Sequence, residues 1–424
     1  MKVDYIEETA VRKALSFEIE NEVVEKEIED KARVLARKAR IPGFRPGKIP
    51  ADVIKKRFRG QVLEDVAEAI VNRVVFQELE GRGLRPIAMP KVEDLKIEEN
   101  QPMTFRAVFE TLPLFEAPAW RGLRAEAKRQ AVTDEAVERE VEQLREAAAR
   151  YEPIEGRAAQ EGDYAVLDLV WKPEEGGKGG RDENALIEVG SKDNHPDFNA
   201  GLLGIAVGET RHVKATYGTD HPSPTLAGRT VVYTVTLKAL KSKALPAEDD
   251  EFAKDVDFDS LQALRDDLRA KLAANEERRL DRELKGQLVA ALVEKASFEV
   301  PQALIERHMS ARTESAARGL ALQGIDPTKI NMDWKGYRES QREDALKAAK
   351  ADLILHEIAR REGVEASDAE LDVELERLAA RMRKSKEALR AQMQKEDELD
   401  ALRARIREEK VLDLIKASAT LEVE

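Results

Sequence analysis

Cysteine is absent from all 424 residues, which excludes disulfides, thiol catalysis and cysteine metal sites. Aromatics are scarce at 5%, so the cores must be built from Leu, Val, Ile and Ala, a palette that favours long helices with wide polar faces. No stretch approaches the ~20 consecutive apolar residues a membrane span requires, so no membrane partner is expected. The first residues, Met1 to Lys13, carry acids and lack the apolar centre of an export signal, which points to the cytoplasm. The five histidines (His195, His212, His221, His308, His356) show no HExxH or other ligand spacing. No metal and no cofactor is expected.

What is present is charge and aliphatic bulk. Hydrophobic residues make up 42% and charged residues 37% of a chain with net charge −13, long enough for two to four folded domains. One segment departs from this acidity. Between Lys31 and Arg59 stand eleven basic residues and a single acid, Asp52, a local balance of +10. At its centre lies Gly43-Phe44-Arg45-Pro46-Gly47-Lys48-Ile49-Pro50. Pro42, Pro46 and Pro50 each fix φ near −65° and the two glycines permit positive φ, so this turn has few shapes and loses little entropy on binding. Val24, Ile28, Ala32 and Leu35 recur at helical spacing before it, behind Asn21 as a cap. Val53, Ile54, Phe58, Val62, Val66 and Ile70 continue an apolar stripe after it, toward Gly81. The turn is therefore the tip of a helix-loop-helix arm presenting Phe44, Arg45 and Lys48. A basic patch on an acidic protein suits a polyanion such as folded RNA, although a solvated basic helix pair would explain the charge alone.

These eight residues resemble the ribosome-binding signature of the bacterial trigger factor family. The resemblance implies that Gly43, Phe44, Arg45, Pro46, Gly47, Lys48, Ile49 and Pro50 contact protein and RNA beside the exit tunnel. Around the arm, Leu15, Phe17 and Ile19 alternate as a strand, as do Phe105, Ala107 and Phe109, which makes residues 1–112 a small α+β domain. A proline-punctuated linker begins at Pro113, and Thr133 caps a helix with Val137, Val141, Leu144, Ala148 and Tyr151 on one stripe.

From Gly162 the texture changes to short alternating runs at 164–171, 185–189, 211–217 and 230–237, with a short helix at 198–203. They make a small β domain over residues 151–244. Gly176-Gly-Lys-Gly-Gly180 has no Ser or Thr after its lysine and opens no helix, so it reads as a hairpin loop. The order Gly190, Pro196-Asp-Phe198, Gly201-Leu-Leu-Gly204, Gly208-Glu209, Gly228 and Tyr233 resembles an FKBP-type peptidyl-prolyl isomerase domain. Such a domain binds an X-Pro segment in an apolar pocket that favours the twisted imide. Phe198, Tyr233 and His221 are the pocket residues the resemblance implies. Leu169, Ala185, Asn194, His195 and His221 stand where that family places aromatic or larger apolar residues, which implies an eroded pocket. Core packing would also explain Phe198 and Tyr233, and His221 suits an exposed turn.

Beyond Ala244 the chain is helical. Leu264 to Leu292 repeat at helical spacing, Val300-Pro301 introduces a second helix through Leu304, Ile305 and Met309, and a third spans Trp334 to Arg361. Ser367-Asp-Ala-Glu370 is a capping box, and Leu399, Leu402, Ile406 and Leu412 mark the last helix. The Thr133 helix needs cover that only these helices supply. The expected fold is thus multidomain α+β: an N-terminal α+β domain with the arm, an inserted FKBP-like β domain, and a discontinuous all-α domain of residues 113–150 plus 245–424. The resemblance implies an ATP-independent chaperone that docks at the ribosome, holds unfolded nascent polypeptides and assists folding and export, with isomerase activity. The alternatives are a free cytoplasmic prolyl isomerase or a helical adaptor without ribosome binding. Homodimerisation is left open.

Overall fold

The computed structural model describes residues 1–39, 44, 49–98, 100–176, 179–219 and 226–424. It divides into two compact units, one of Met1–Lys128 with Asp281–Glu424 and one of Arg129–Leu280. The first begins with strands β1 (Lys2–Glu7), β2 (Arg12–Ile19), β3 (Lys91–Lys96) and β4 (Met103–Glu110), an antiparallel sheet in the order β1-β2-β4-β3. Alternation puts Leu15, Phe17 and Ile19 on one face, directly opposite Ala107, Phe105 and Met103. Phe17 and Phe105 stack with centroids 4.6 Å apart. Helices α1 (Asn21–Lys38), α2 (Ala51–Arg57) and α3 (Arg59–Gly81) supply Val24, Ile28, Ala32, Ile54, Val62, Val66 and Ile70 to the same buried cluster.

Two sequence expectations change here. Asn21 is not the cap of α1: the chain turns one residue earlier, at Glu20, so Asn21 enters the first turn and its Oδ1 is buried without a partner. The apolar stripe after Pro50 is not one helix, because Phe58, at φ −116° and ψ 30°, breaks it into α2 and α3 while packing against the core.

Strand β5 (Arg124–Ala127) follows, and then the second unit opens with α4 (Asp134–Ala147). Thr133 caps α4 by accepting from the Ala136 amide at 3.3 Å. Tyr151 falls not on the α4 stripe but in strand β6 (Arg150–Ile154), because the helix ends at Ala148. Strands β7 (Tyr164–Pro173) and β8 (Gly180–Glu188) form a hairpin, helix α5 (Pro196–Leu202) intervenes, and β9 (Thr210–Thr216) and β10 (Thr230–Ala244) complete a five-stranded sheet. The 15-residue β10 is its spine, pairing with β6, β7 and β9. Helix α6 (Asp250–Asp255) and helix α7 (Leu261–Lys295) follow, and Val137 and Val141 of α4 are buried among Phe252, Leu264 and Leu268.

The first unit resumes within α7, which runs 35 residues without a break. Its other helices are α8 (Gln302–Leu322), α9 (Trp334–Ser340), α10 (Arg342–Glu362), α11 (Asp368–Met382), α12 (Lys386–Lys395) and α13 (Leu399–Ser418). Pro301 stands at the start of α8, and Ser367 and Glu370 form the capping box of α11. The single helix expected from Trp334 to Arg361 is broken at Gln341. In α13, Val411 and Ile415 carry the buried seam and Leu412 is only partly covered. The chain closes with β11 (Thr420–Val423), parallel to β5, while the Gln287 side chain both donates to and accepts from the Glu126 backbone.

Lys285 of α7 is 9% exposed and lies 2.9 Å from Asp281, 2.5 Å from Glu409 and 2.7 Å from Asp413. Burial opposes its charge, yet the hydrogen bonds to Asp413, Glu409 and Asp281 outweigh it and hold the ammonium above its ordinary pKa. This contribution is therefore complete below the ordinary lysine range and is lost as pH rises through the raised value. Lys285→Ala leaves Glu409 and Asp413 without this cation, while Asp281 keeps Lys416 at 2.5 Å. The expected loss is ~2 kcal/mol, below the full cost of breaking a buried pair because Glu409 and Asp413 are exposed. Urea unfolding measures it, and an unchanged midpoint would show the cluster to be surface decoration.

Candidate functional site

The arm is held at its base by Ala36, Ile49 and Ile54, all in the N-terminal core. Ile49 is 6% exposed, an anchor within the core, whereas Phe44 is 40% exposed. Pro50 stands at the cap position of α2 with φ −59°. Gly43, Arg45, Pro46, Gly47 and Lys48 lie outside the described residues. Arg33 is paired with Glu29 at 2.8 Å and Asp30 at 3.7 Å. Lys31, Arg37, Lys55, Lys56 and Arg57 make no ion pair among the described residues.

The second constellation is in the β domain. Alternate residues of β7, β9 and β10 point into one core, which includes Leu167, Leu169, Val213, Val235 and Leu237 and, after a register shift in β10, Leu240, and α5 covers it with Phe198 and Leu202. A Cβ on Gly201 would meet Val213 Cγ2 at 2.2 Å, so α5 reaches β9 only because this position is glycine. Phe198, 6% exposed, meets Tyr233 edge-on with centroids 5.1 Å apart. The Tyr233 hydroxyl lies 2.7 Å from that of Tyr217. Burial first, and then that hydrogen bond, push the Tyr233 pKa above the ordinary tyrosine value.

His195 joins the same wall. Its ring sits edge-on to Tyr217 at 4.8 Å. Nδ1 accepts from the Asp197 amide at 3.2 Å, capping α5, and Nε2 lies 3.0 Å from the Thr216 carbonyl, which assigns the proton to Nε2. Asn194 is scaffolding, donating to the Glu188 carbonyl and to Asn199 Oδ1. Leu169 is buried and Ala185 partly so. His221 lies outside the described residues. Tyr217 was missed as a wall residue by sequence reasoning, although it shares the parity of the inward Val213 and Ala215 and so carried the signal. Among the described residues no group of three or more His, Asp or Glu side chains is placed to hold a metal ion.

The N-terminal family model for bacterial trigger factor protein matches residues 1–144, and the model for its C-terminus matches residues 260–417. The trigger factor of Solibacter usitatus is 33% identical over 387 residues, 91% of this chain and 92% of the relative. That of Halothermothrix orenii is 34% identical over 393 residues, with the same coverage. The chain belongs to the trigger factor family. A solved trigger factor chaperone, studied for promiscuous substrate recognition in folding and assembly, covers 98% of this chain at 23% identity and a TM-score of 0.49. Membership in the family makes this a ribosome-associated chaperone with a multidomain α+β fold. Among the described residues no helix is long and apolar enough to cross a membrane.

The hydroxyl pair generates a test. Tyr217→Phe leaves the half-buried Tyr233 hydroxyl without its partner, and ~1–2 kcal/mol of β-domain stability should be lost. Adding Tyr233→Phe should recover part of it, because removing both partners of a hydrogen bond costs less than removing one. Thermal unfolding of both variants reads this, and simple additivity of the two losses would refute the coupling.

Proposed function

We propose that residues 43–50 dock this chaperone beside the ribosomal exit tunnel through Phe44, Arg45 and Lys48, with the flanking cations of α1 and α2 binding ribosomal RNA. The observation that carries the reading is a half-exposed Phe44 on an arm whose Lys31, Arg37, Lys55, Lys56 and Arg57 lack ion-pair partners among the described residues. An unpaired cation gains from a phosphate without first breaking an intramolecular bond, and counterion release makes such binding steeply salt-dependent. The work divides along the chain into an anchoring domain (1–112), a linker and helix (113–150), an FKBP-like domain (151–244) and helices that hold nascent chains in the cytoplasm (245–424).

The test is co-sedimentation with ribosomes. Wild type should pellet, with binding falling about tenfold or more between low and moderate salt, and Phe44→Ala/Arg45→Ala/Lys48→Ala should stay in the supernatant. A triple variant that binds like wild type would overturn the docking assignment.

The edge-on Phe198–Tyr233 pair favours a second activity in the same chain, prolyl isomerisation. Phe198 and Tyr233 are the wall of the X-Pro site in this reading, His221 is assigned to it by resemblance alone, and the reaction needs no nucleophile, only a dry wall that favours the twisted imide. A protease-free prolyl assay should show catalysis that is weak, because Leu169, Ala185 and Asn194 are not aromatic walls, and that falls at least tenfold in Phe198→Ala. No rate above background in the folded wild type would reject the activity.

A further inference from the structure

A cavity of about 650 Å³, partly open to solvent, lies among α8, α10 and α13 and is lined also by Ile87 and the exposed Leu112. Most of its wall is apolar: Leu304, Ala349, Leu353, Leu355, Ala359 and Ala404. One edge is not. There His308 of α8, Asp352 of α10 and Glu408 of α13 meet, one titratable group from each helix. His308 Nε2 lies 2.9 Å from Asp352 Oδ2 but is buried without an aligned hydrogen bond. Glu408 lines the same edge of the cavity as His308 and Asp352.

We propose that this three-residue junction is a proton-controlled clasp that sets how often α13 opens from α8 and α10 and exposes the apolar cavity. With a proton on Glu408, its carboxyl donates to Asp352 and the seam is satisfied. Once the proton leaves, two carboxylates confront each other across the seam, and separating α13 from α10 relieves them.

The electrostatics fit. Burial first, and then the Asp352 carboxylate, hold the Glu408 carboxyl above its ordinary pKa, while Arg407 pulls the other way. A carboxyl with a raised pKa in the packed state favours closure fully below the ordinary carboxylate range. That support is lost as pH rises through the raised value. Every other charged group at the cavity is accounted for. His308 lies 2.9 Å from Asp352. His356 Nδ1 lies 3.3 Å from Arg407. Arg405 is held by Glu374 at 2.5 Å, Arg407 approaches Glu365 at 4.0 Å, and Arg307 is exposed at the rim. Ile87 and Leu112 bring no charge. The clasp is independent of ribosome docking and of isomerase activity.

The absence of cysteine supplies the experiment. Ala349 is 0% exposed and lines the cavity, so in the full chain Ala349→Cys reacts with a thiol reagent only on opening. Dividing its rate by that of the urea-unfolded chain at the same pH removes the thiolate contribution. The normalised rate should rise as pH climbs above the ordinary carboxylate range, by about tenfold per unit by which the packed and open pKa values differ. Adding Glu408→Gln, which keeps a neutral donor toward Asp352, should flatten the profile, whereas His356→Gln should leave the rise in place. A rise that persists in Glu408→Gln, a flat profile without it, or a rise abolished by His356→Gln would each overturn the proposal. Hydrogen exchange of the wild-type amides at 402–412, corrected for intrinsic rates, probes the same opening without any substitution: protection must fall as pH rises.

Discussion

An apolar stripe on a highly charged helix must be covered, and in this chain the cover comes from far away in sequence. With 37% charged residues and 5% aromatics, each helix has a narrow apolar face and little else to bury. Val137 and Val141 of α4 are closed by Phe252, Leu264 and Leu268, beyond the whole β domain. Leu304 and Leu353 are closed with Ile87, Phe115 and Phe298, and Phe115 and Phe298 stack at 3.9 Å. Glu110, the last residue of β4, accepts from the free amides of Gln302 and Ala303 at the start of α8, at 3.0 and 2.7 Å. That carboxylate satisfies donors that Pro301, which offers no side-chain bond, leaves open.

This constraint explains what could be read from the sequence. Elements announced by local chemistry were legible: the alternation of Leu15, Phe17 and Ile19, the Thr133 cap, the Ser367–Glu370 box and the Pro301 start of α8 all recur in the structure as expected. Elements that exist only through a distant partner were not. Strand β5 reads Arg-Ala-Glu-Ala and β11 reads Thr-Leu-Glu-Val. Neither has enough apolar content to declare itself, and both form because they pair with each other across the chain. Helix α12 offers just Leu389 and Met393 to a core. The breaks at Phe58 and Gln341 were hidden for the opposite reason, since the apolar period runs on through them while the backbone turns.

The candidate sites divide in the same way. Phe198 and Tyr233 could be named, but the wall they belong to is longer than the names. It continues through the Tyr217 hydroxyl to His195, which ties the start of α5 to β9 by bonds to Asp197 and Thr216. No pairwise motif carries that information, because it depends on strand register: Val213 lies opposite Tyr233, which brings Tyr217, four residues on, to the same end of the sheet. The polar hydroxyl pair also makes this wall chemically unlike an all-apolar one. A hydroxyl pair can bond a carbonyl or an amide, and this one lies beside the ring of Phe198.

Exposure alone does not single out Phe44, since Phe76 on α3 is more exposed at 56%. The difference lies in the surrounding charge. Phe76 stands near Arg73, which is already engaged by Glu27 at 3.1 Å, so an anion arriving there would compete with a carboxylate in place. Phe44 stands in the chain between α1 and α2, where Arg33 is held by Glu29 but Lys31, Arg37, Lys55, Lys56 and Arg57 make no ion pair among the described residues. An aromatic that stacks on a base or packs against a protein surface is worth most where neighbouring charges are free to neutralise phosphates. In the docking we propose, the proline and glycine punctuation would add a third term by lowering the entropy lost on binding. Each term alone has an ordinary structural explanation, and the proposal rests on their coincidence in one segment.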